Sequence, residues 1–239
     1  MGLFDHFKSK SKPADGIPPE MTKTFEKLHL ILRDEQQQKA QLPAQLRIVV
    51  EGGASVDELP HGTGSFGHSP TNPIPANGQM GELTYLSNLA TAAGQRVVFH
   101  RLGSVKDIDA FEIMSFDGKM WAVLYFNLYH PSKSKMAPVG FQLLGNKQYE
   151  LFIFGINQNA KDFPRDIESH ISKCTARLLW IPLRPLQFRG RYTGDAKRPP
   201  EQIERIAVAS RTNFQAAGVE SEVFSPIKYW DKTPSVQGQ

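Results

Sequence analysis

Residues 96–129 read RVVFHRLGSVKDIDAFEIMSFDGKMWAVLYFNLY, and this stretch decides the fold class. Within it, 96–102, 110–116 and 119–129 are rich in β-branched and aromatic residues, the composition that suits a pleated, half-buried surface. Asp117-Gly118 separates the last two runs and is a strong two-residue hairpin signal. The segment 120–129 is apolar on both alternating faces, which places it inside a sheet covered on both sides. A further strand is expected over 149–156, YELFIFGI, after a Gly-Asn turn.

Helical spacing flanks this sheet. Met21, Phe25, Leu28 and Leu32 share one helical face within residues 20–41, which lie between Pro18-Pro19 and Pro43. Ile167, Ile171, Cys174 and Leu178 repeat the same spacing within 164–179. Residues 199–217 begin at Pro199-Pro200 and stop at Gly218, a proline-first, glycine-last pattern. Leu46 to Val50 and Val219 to Trp230 read as short β-prone runs. The expected architecture is α+β: a central, largely antiparallel sheet flanked by helices, with one long uncharged loop. The expected organisation is a tail and linker over 1–19, a single domain over 20–230 and a polar tail over 231–239.

The loop is the unusual part. Residues 59–81, LPHGTGSFGHSPTNPIPANGQMG, hold five glycines and four prolines and no Lys, Arg, Asp or Glu. Solvated linkers are commonly charged, so an uncharged segment carrying Phe66, Ile74 and Met80 is expected to pack across an end or edge of the sheet. Phe66, Asn72, Ile74, Asn77 and Met80 are its candidate binding residues.

Composition narrows the function. The 239 residues include one cysteine, which permits no internal disulfide and suits a reducing, cytoplasmic setting. No segment approaches the roughly 20 apolar residues of a membrane helix. The net charge of +4 neither demands nor forbids a homo-oligomer. The positive excess lies in the last third, where nine basic residues between 173 and 211 face three acids. Arg184, Arg189, Arg191, Lys197 and Arg198 are the candidate anion-binding group within it, although a solvated surface with local ion pairs is the commoner fate of such clusters.

Chemical motifs are sparse. Gly62-Thr63-Gly64-Ser65-Phe66-Gly67 matches G-x-G-x-x-G in spelling, but no strand is expected before it, and Pro70 and Pro73 forbid a helix directly after it. His61, His68, Glu82 and His100 are the candidates for a metal-assisted hydrolase site acting on a phosphoester or glycosidic bond. Their spacing fits no established metal motif, so no metal or cofactor is assigned. Cys174 follows His170 by one helical turn but sits in an apolar stripe, where an inert buried thiol is the rule. His130-Pro131-Ser132-Lys133-Ser134-Lys135 is a small basic turn whose ordinary role is an exposed connection. The resulting expectation is a non-catalytic, cytoplasmic protein-interaction module working through loop 59–81. A metal-assisted hydrolase is the first alternative and a binder of nucleic acid or anionic surfaces the second.

Overall fold

The computed structural model describes residues 23, 27, 30–105, 108–145, 155, 156, 159–169 and 192–216. Along the chain run α1 (Glu35–Ala40), α2 (Ala44–Gly52), β1 (Ile74–Pro75), α3 (Gln79–Asn88), β2 (Leu89–Thr91), β3 (Val97–Val105) and β4 (Ile108–Ser115). Then come β5 (Trp121–Asn127), β6 (Phe141–Leu143), β7 (Gly155–Ile156) and α4 (Pro200–Ala216). The fold is α+β. Its main sheet has five strands in the order β1-β5-β4-β3-β7, and β2 pairs with β6 in a separate ribbon.

The antiparallel centre of this sheet is the meander β3-β4-β5. Both outer pairings, β1 with β5 and β7 with β3, are parallel, so the sheet is mixed. The β4–β5 turn is wider than a two-residue hairpin: the Ser115 N–H donates to the Met120 carbonyl, leaving residues 116–119 in the turn. Asp117 organises it by accepting from Ser115 Oγ at 2.6 Å and from the Lys119 N–H at 3.2 Å. Gly118 takes a φ of 69° there, a conformation that a Cβ would strain.

Alternation along the strands builds two cores. One face carries Phe99, Phe111, Ile113, Leu124 and Phe126, closed by Phe66, Ile74, Tyr85 and Leu86 from outside the meander. Its rings meet edge to face, with Phe111 and Phe126 centroids 5.6 Å apart and Tyr85 and Phe126 5.5 Å apart. The other face carries Val98, Met114 and Trp121 against Ile156, Phe163 and Ile167, and Leu102, Ala110, Val123 and Tyr125 against Ile206 and Ala209 of α4.

Loop 59–81 does reach the sheet edge, and it supplies a strand there. Ile74 pairs with Phe126 and Pro75 with Asn127. A proline suits this place, because an edge strand can spare an N–H. The chain then turns at Gly78 into α3, a helix that no apolar stripe announces in the sequence.

Two expectations need correction at the N-terminal side. The run Leu46–Val50 is helical within α2, not extended. Pro43 precedes its first turn, and Arg47 Nη2 donates to the Ala40 carbonyl at 2.9 Å, so this arginine closes the end of α1 from inside α2. The helix expected over 20–41 is interrupted at Asp34, which is extended and caps α1 by accepting from the Gln36 and Gln37 N–H groups. Asp34→Ala should therefore cost about 1 kcal/mol, read as a lowered urea midpoint with an unchanged slope. An unchanged midpoint would mean that the cap contributes nothing.

Helix α4 coincides with the expected 199–217 to within one residue at each end. The tails 1–19 and 231–239, most of the strand expected over 149–156, most of the helix expected over 164–179 and the run 219–230 lie outside the described residues.

Candidate functional site

The apolar strand β4 carries two acidic residues that end up without solvent exposure, Asp109 and Glu112. Three positions apart on a strand, they point to opposite faces and nucleate two different polar clusters.

Glu112 points toward α4. It accepts from His100 Nε2 at 2.7 Å, from Arg198 Nε at 2.7 Å and Nη2 at 2.9 Å, and from Gln202 Nε2 at 3.3 Å. His100 stands directly opposite Glu112 in the β3–β4 register, so the strand pairing itself sets up this contact. Gln202 also donates to the Ala122 carbonyl at 3.1 Å, and Arg205 donates to that of Trp121 at 3.0 Å. Four hydrogen bonds meet on one buried carboxylate. Burial pushes Glu112 upward, but the bonds from His100 and Arg198 together outweigh it and hold the carboxyl below its ordinary range.

His100 is committed at both ring nitrogens. Its Nδ1 receives the Ala160 N–H at 3.1 Å, so Nδ1 must be bare and the proton must sit on Nε2, facing Glu112. The Phe163 ring lies 4.4 Å from the imidazole, centroid to centroid. Burial lowers the proton affinity of His100, and the Arg198 charge acts in the same direction, against the pull of Glu112 and Asp166. With both nitrogens engaged, the ring has none left to take a proton from a substrate in this arrangement.

Asp109 points to the other face. Arg101 Nη2 donates to its Oδ1 at 2.7 Å, and Arg101 Nε lies 2.7 Å from its Oδ2. Glu82, in the first turn of α3, is wholly buried near this pair, and neither of its oxygens has a hydrogen-bond partner among the described residues. Burial drives the Glu82 carboxyl well above the ordinary carboxylate range, the Asp109 charge adds to that, and Arg101 opposes it. Burial also raises Asp109, against the two contacts from Arg101.

The four catalytic candidates do not converge. Glu82 and His100 are on opposite faces of the sheet. His61 is exposed, and His68 Nε2 lies 3.0 Å from the Val139 carbonyl. Among the described residues, no group of three or more His, Cys, Asp or Glu side chains is arranged to hold a metal ion.

The loop candidates are mostly interior. Phe66, Asn72, Ile74 and Asn77 are buried, while Met80 is half-buried. Asn77 Nδ2 donates to Gln38 Oε1 at 2.8 Å, and Gln38 Nε2 donates to Thr84 Oγ1 at 3.2 Å, so this amide pair ties α1 to α3. Asn72 holds the glycine-rich turn together, donating to Glu58 Oε1 at 2.8 Å and to the Gly64 carbonyl at 3.1 Å. The N–H groups of Gly62, Thr63 and Gly67 donate to the carbonyls of Leu59, Thr71 and Asn72. A phosphate cradle needs such amides free, and here they close the turn.

Of the basic candidates, Lys197 is exposed and Arg198 is spent on Glu112; Arg184, Arg189 and Arg191 lie outside the described residues, as do His170 and Cys174. The basic turn after β5 is likewise used internally. Lys133 Nζ pairs with Glu35 Oε1 at 2.8 Å, Ser134 Oγ donates to the Asp57 carbonyl, and the Lys135 N–H donates to Asp57 Oδ1.

Asp109 and Glu112 stood out in the sequence only as acids near the candidate histidines, and Arg101 and Gln202 were not singled out as site residues. The available signal was an acidic residue inside an apolar strand, Phe111-Glu112-Ile113, which requires a buried partner. No protein-family model, curated protein or solved structure matches this chain.

Helix α2 turns apolar side chains outward. In α2, only Val50 is buried, while Leu46, Ile48 and Val49 are 38%, 72% and 52% exposed. No helix among the described residues is long and apolar enough to cross a membrane.

Proposed function

We propose that this chain is a non-catalytic protein-interaction module whose contact surface includes α2. The observation that carries this reading is that α2 presents Leu46, Ile48 and Val49 to solvent while burying a single side chain. Fully burying an aliphatic side chain is worth about 1.5–3 kcal/mol, so Leu46 and Val49, one turn apart, with Ile48 beside Val49, leave a substantial contact unused. Exposed apolar residues one helical turn apart, such as Leu46 and Val49, are a better mark of an association site than isolated ones.

The contact surface moves away from the loop residues first expected to form it. A partner cannot read Phe66, Asn72, Ile74 and Asn77 while they are buried in the fold. Loop 59–81 instead supports the body of the module as an edge strand and a wall of the core. The internal use of His100, Glu112 and Lys133 also favours a binding role over the hydrolytic alternative. The single cysteine suits action in a reducing, cytoplasmic compartment.

The test compares the full chain with an Ile48→Glu/Val49→Gln variant as affinity baits, after equal melting curves establish that both fold. Proteins retained by the wild type and lost from the variant support the reading. An identical set on both baits, or none on either, would overturn it.

A further inference from the structure

The segment 159–167 is docked on the sheet through a titratable ring. The Ala160 N–H donates to His100 Nδ1, and Phe163 packs on the same imidazole while meeting Trp121 edge to face at 6.1 Å. Tyr192 Oη donates to the Pro164 carbonyl, and the Arg198 guanidinium lies 5.8 Å from the Phe163 ring centre. Just upstream, Gly155 and Ile156 pair in parallel with Phe99 and His100.

An imidazole can accept the Ala160 N–H only while Nδ1 is bare. We infer that His100 is an acid-sensitive latch, and that protonation at Nδ1 releases segment 159–167 from the sheet while α4 stays in place. The released contact turns from donor–acceptor into two donors facing each other across a dry interface, which buried polar groups do not tolerate.

The groups around His100 explain why the opening is local. Glu112 on β4 attracts the imidazolium at Nε2 and keeps its bonds from Arg198 and Gln202, so the clamp to α4 persists. Asp166, in the docked segment, favours the charged ring, and Arg198 opposes it. Nδ1 itself points at the Ala160 N–H, so a proton added there meets a donor.

The sign follows from linkage. The open ring, wetted but still facing Glu112 and Arg198, takes a proton more readily than the closed one, and the ordinary imidazole pKa of about 6.5 sets the scale. Each pH unit below about 6.5 therefore multiplies the open population by up to about tenfold. The latch is shut at neutral pH and opens with acid.

Hydrogen exchange followed by NMR on the full chain tests this, with protection factors corrected for intrinsic exchange. Between about pH 7.5 and pH 5, where an imidazole ordinarily titrates, Ala160 protection should fall roughly tenfold or more. The amides of Gln202–Ala209 in α4 should keep theirs. His100→Gln, which can still accept from Ala160 and donate to Glu112 but does not titrate, should show no fall. A flat Ala160 profile in the wild type, an equal fall in the variant, or a parallel loss in α4 would each overturn the latch. Should His100→Gln fail to fold, ring 15N shifts of the wild type decide. Nδ1 must be bare at neutral pH and gain a proton over the range where Ala160 loses protection, and a ring that remains neutral throughout refutes the inference.

Discussion

Arg198→Ala should lower the unfolding free energy by about 3–5 kcal/mol, the cost of removing one partner from a buried ion pair. The side chain of Glu112 is fully buried, and Arg198 supplies two of its hydrogen bonds. Truncation would leave the carboxylate with His100 and one long contact to Gln202, in a place water does not reach. Arg198 itself is 28% exposed, so the reverse substitution is milder: after Glu112→Gln, the guanidinium can turn toward solvent. Arg198→Lys should fall between, because an ammonium cannot reproduce the two-pronged contact.

The same pair predicts an acid limb. Glu112 is held below its ordinary value in the fold, so its contribution is complete above the unfolded carboxyl pKa of about 4.3. It is lost as pH falls through the folded value. Urea unfolding of wild type and variants at several pH values measures both effects. A loss below about 1 kcal/mol for Arg198→Ala would mean that the pair behaves like an exposed one and does not anchor α4.

The second large effect runs in the opposite direction, because Glu82 is raised by burial and by Asp109. The folded chain then keeps a proton that the unfolded chain releases above about pH 4.3. Stability must fall by about 1.4 kcal/mol per pH unit from there up to the folded pKa of Glu82. Glu82→Gln preserves the shape of the neutral carboxyl and removes this slope. Near pH 4 the two proteins should be about equally stable, and at pH 7 the variant should be clearly the more stable. Asp109 is also raised and adds its own slope to both proteins, so the difference between the two curves is what reports Glu82. Parallel curves from about pH 5 to pH 8 would show that Glu82 folds as a carboxylate.

How far the sequence could be read depended on the range of each interaction. The meander over 96–129 was legible because alternation, β-branching and the Asp117-Gly118 turn are all local, while the turn length and the strand ends, shifted by one to three residues, were not. Helix α4 was legible because Pro199-Pro200 and Gly218 bracket a periodic segment. By contrast, Leu46–Val50 has β-prone residues in a helix whose start is set by Pro43 and whose Arg47 is anchored on α1. Helix α3 hid because its buried side includes Gly81, Glu82 and Thr84, so hydrophobicity does not trace the face that packs.

The site residues divide along the same line. His100 and Glu82 were visible as unusual residues, and the alternation of β3 and β4 already implied that Asp109 and Glu112 part to opposite faces. Nothing local could say that Arg198, 86 positions beyond Glu112, would be the guanidinium that meets it. Nor could it say that the uncharged loop would hand Ile74 and Pro75 to β5 as a parallel neighbour. The sequence by itself determined the three strands of the meander, the last helix and the uncharged character of loop 59–81. Tertiary structure alone decided which buried charge found which partner, because periodicity records the face a side chain occupies, while the identity of what covers that face depends on chain closure over many residues.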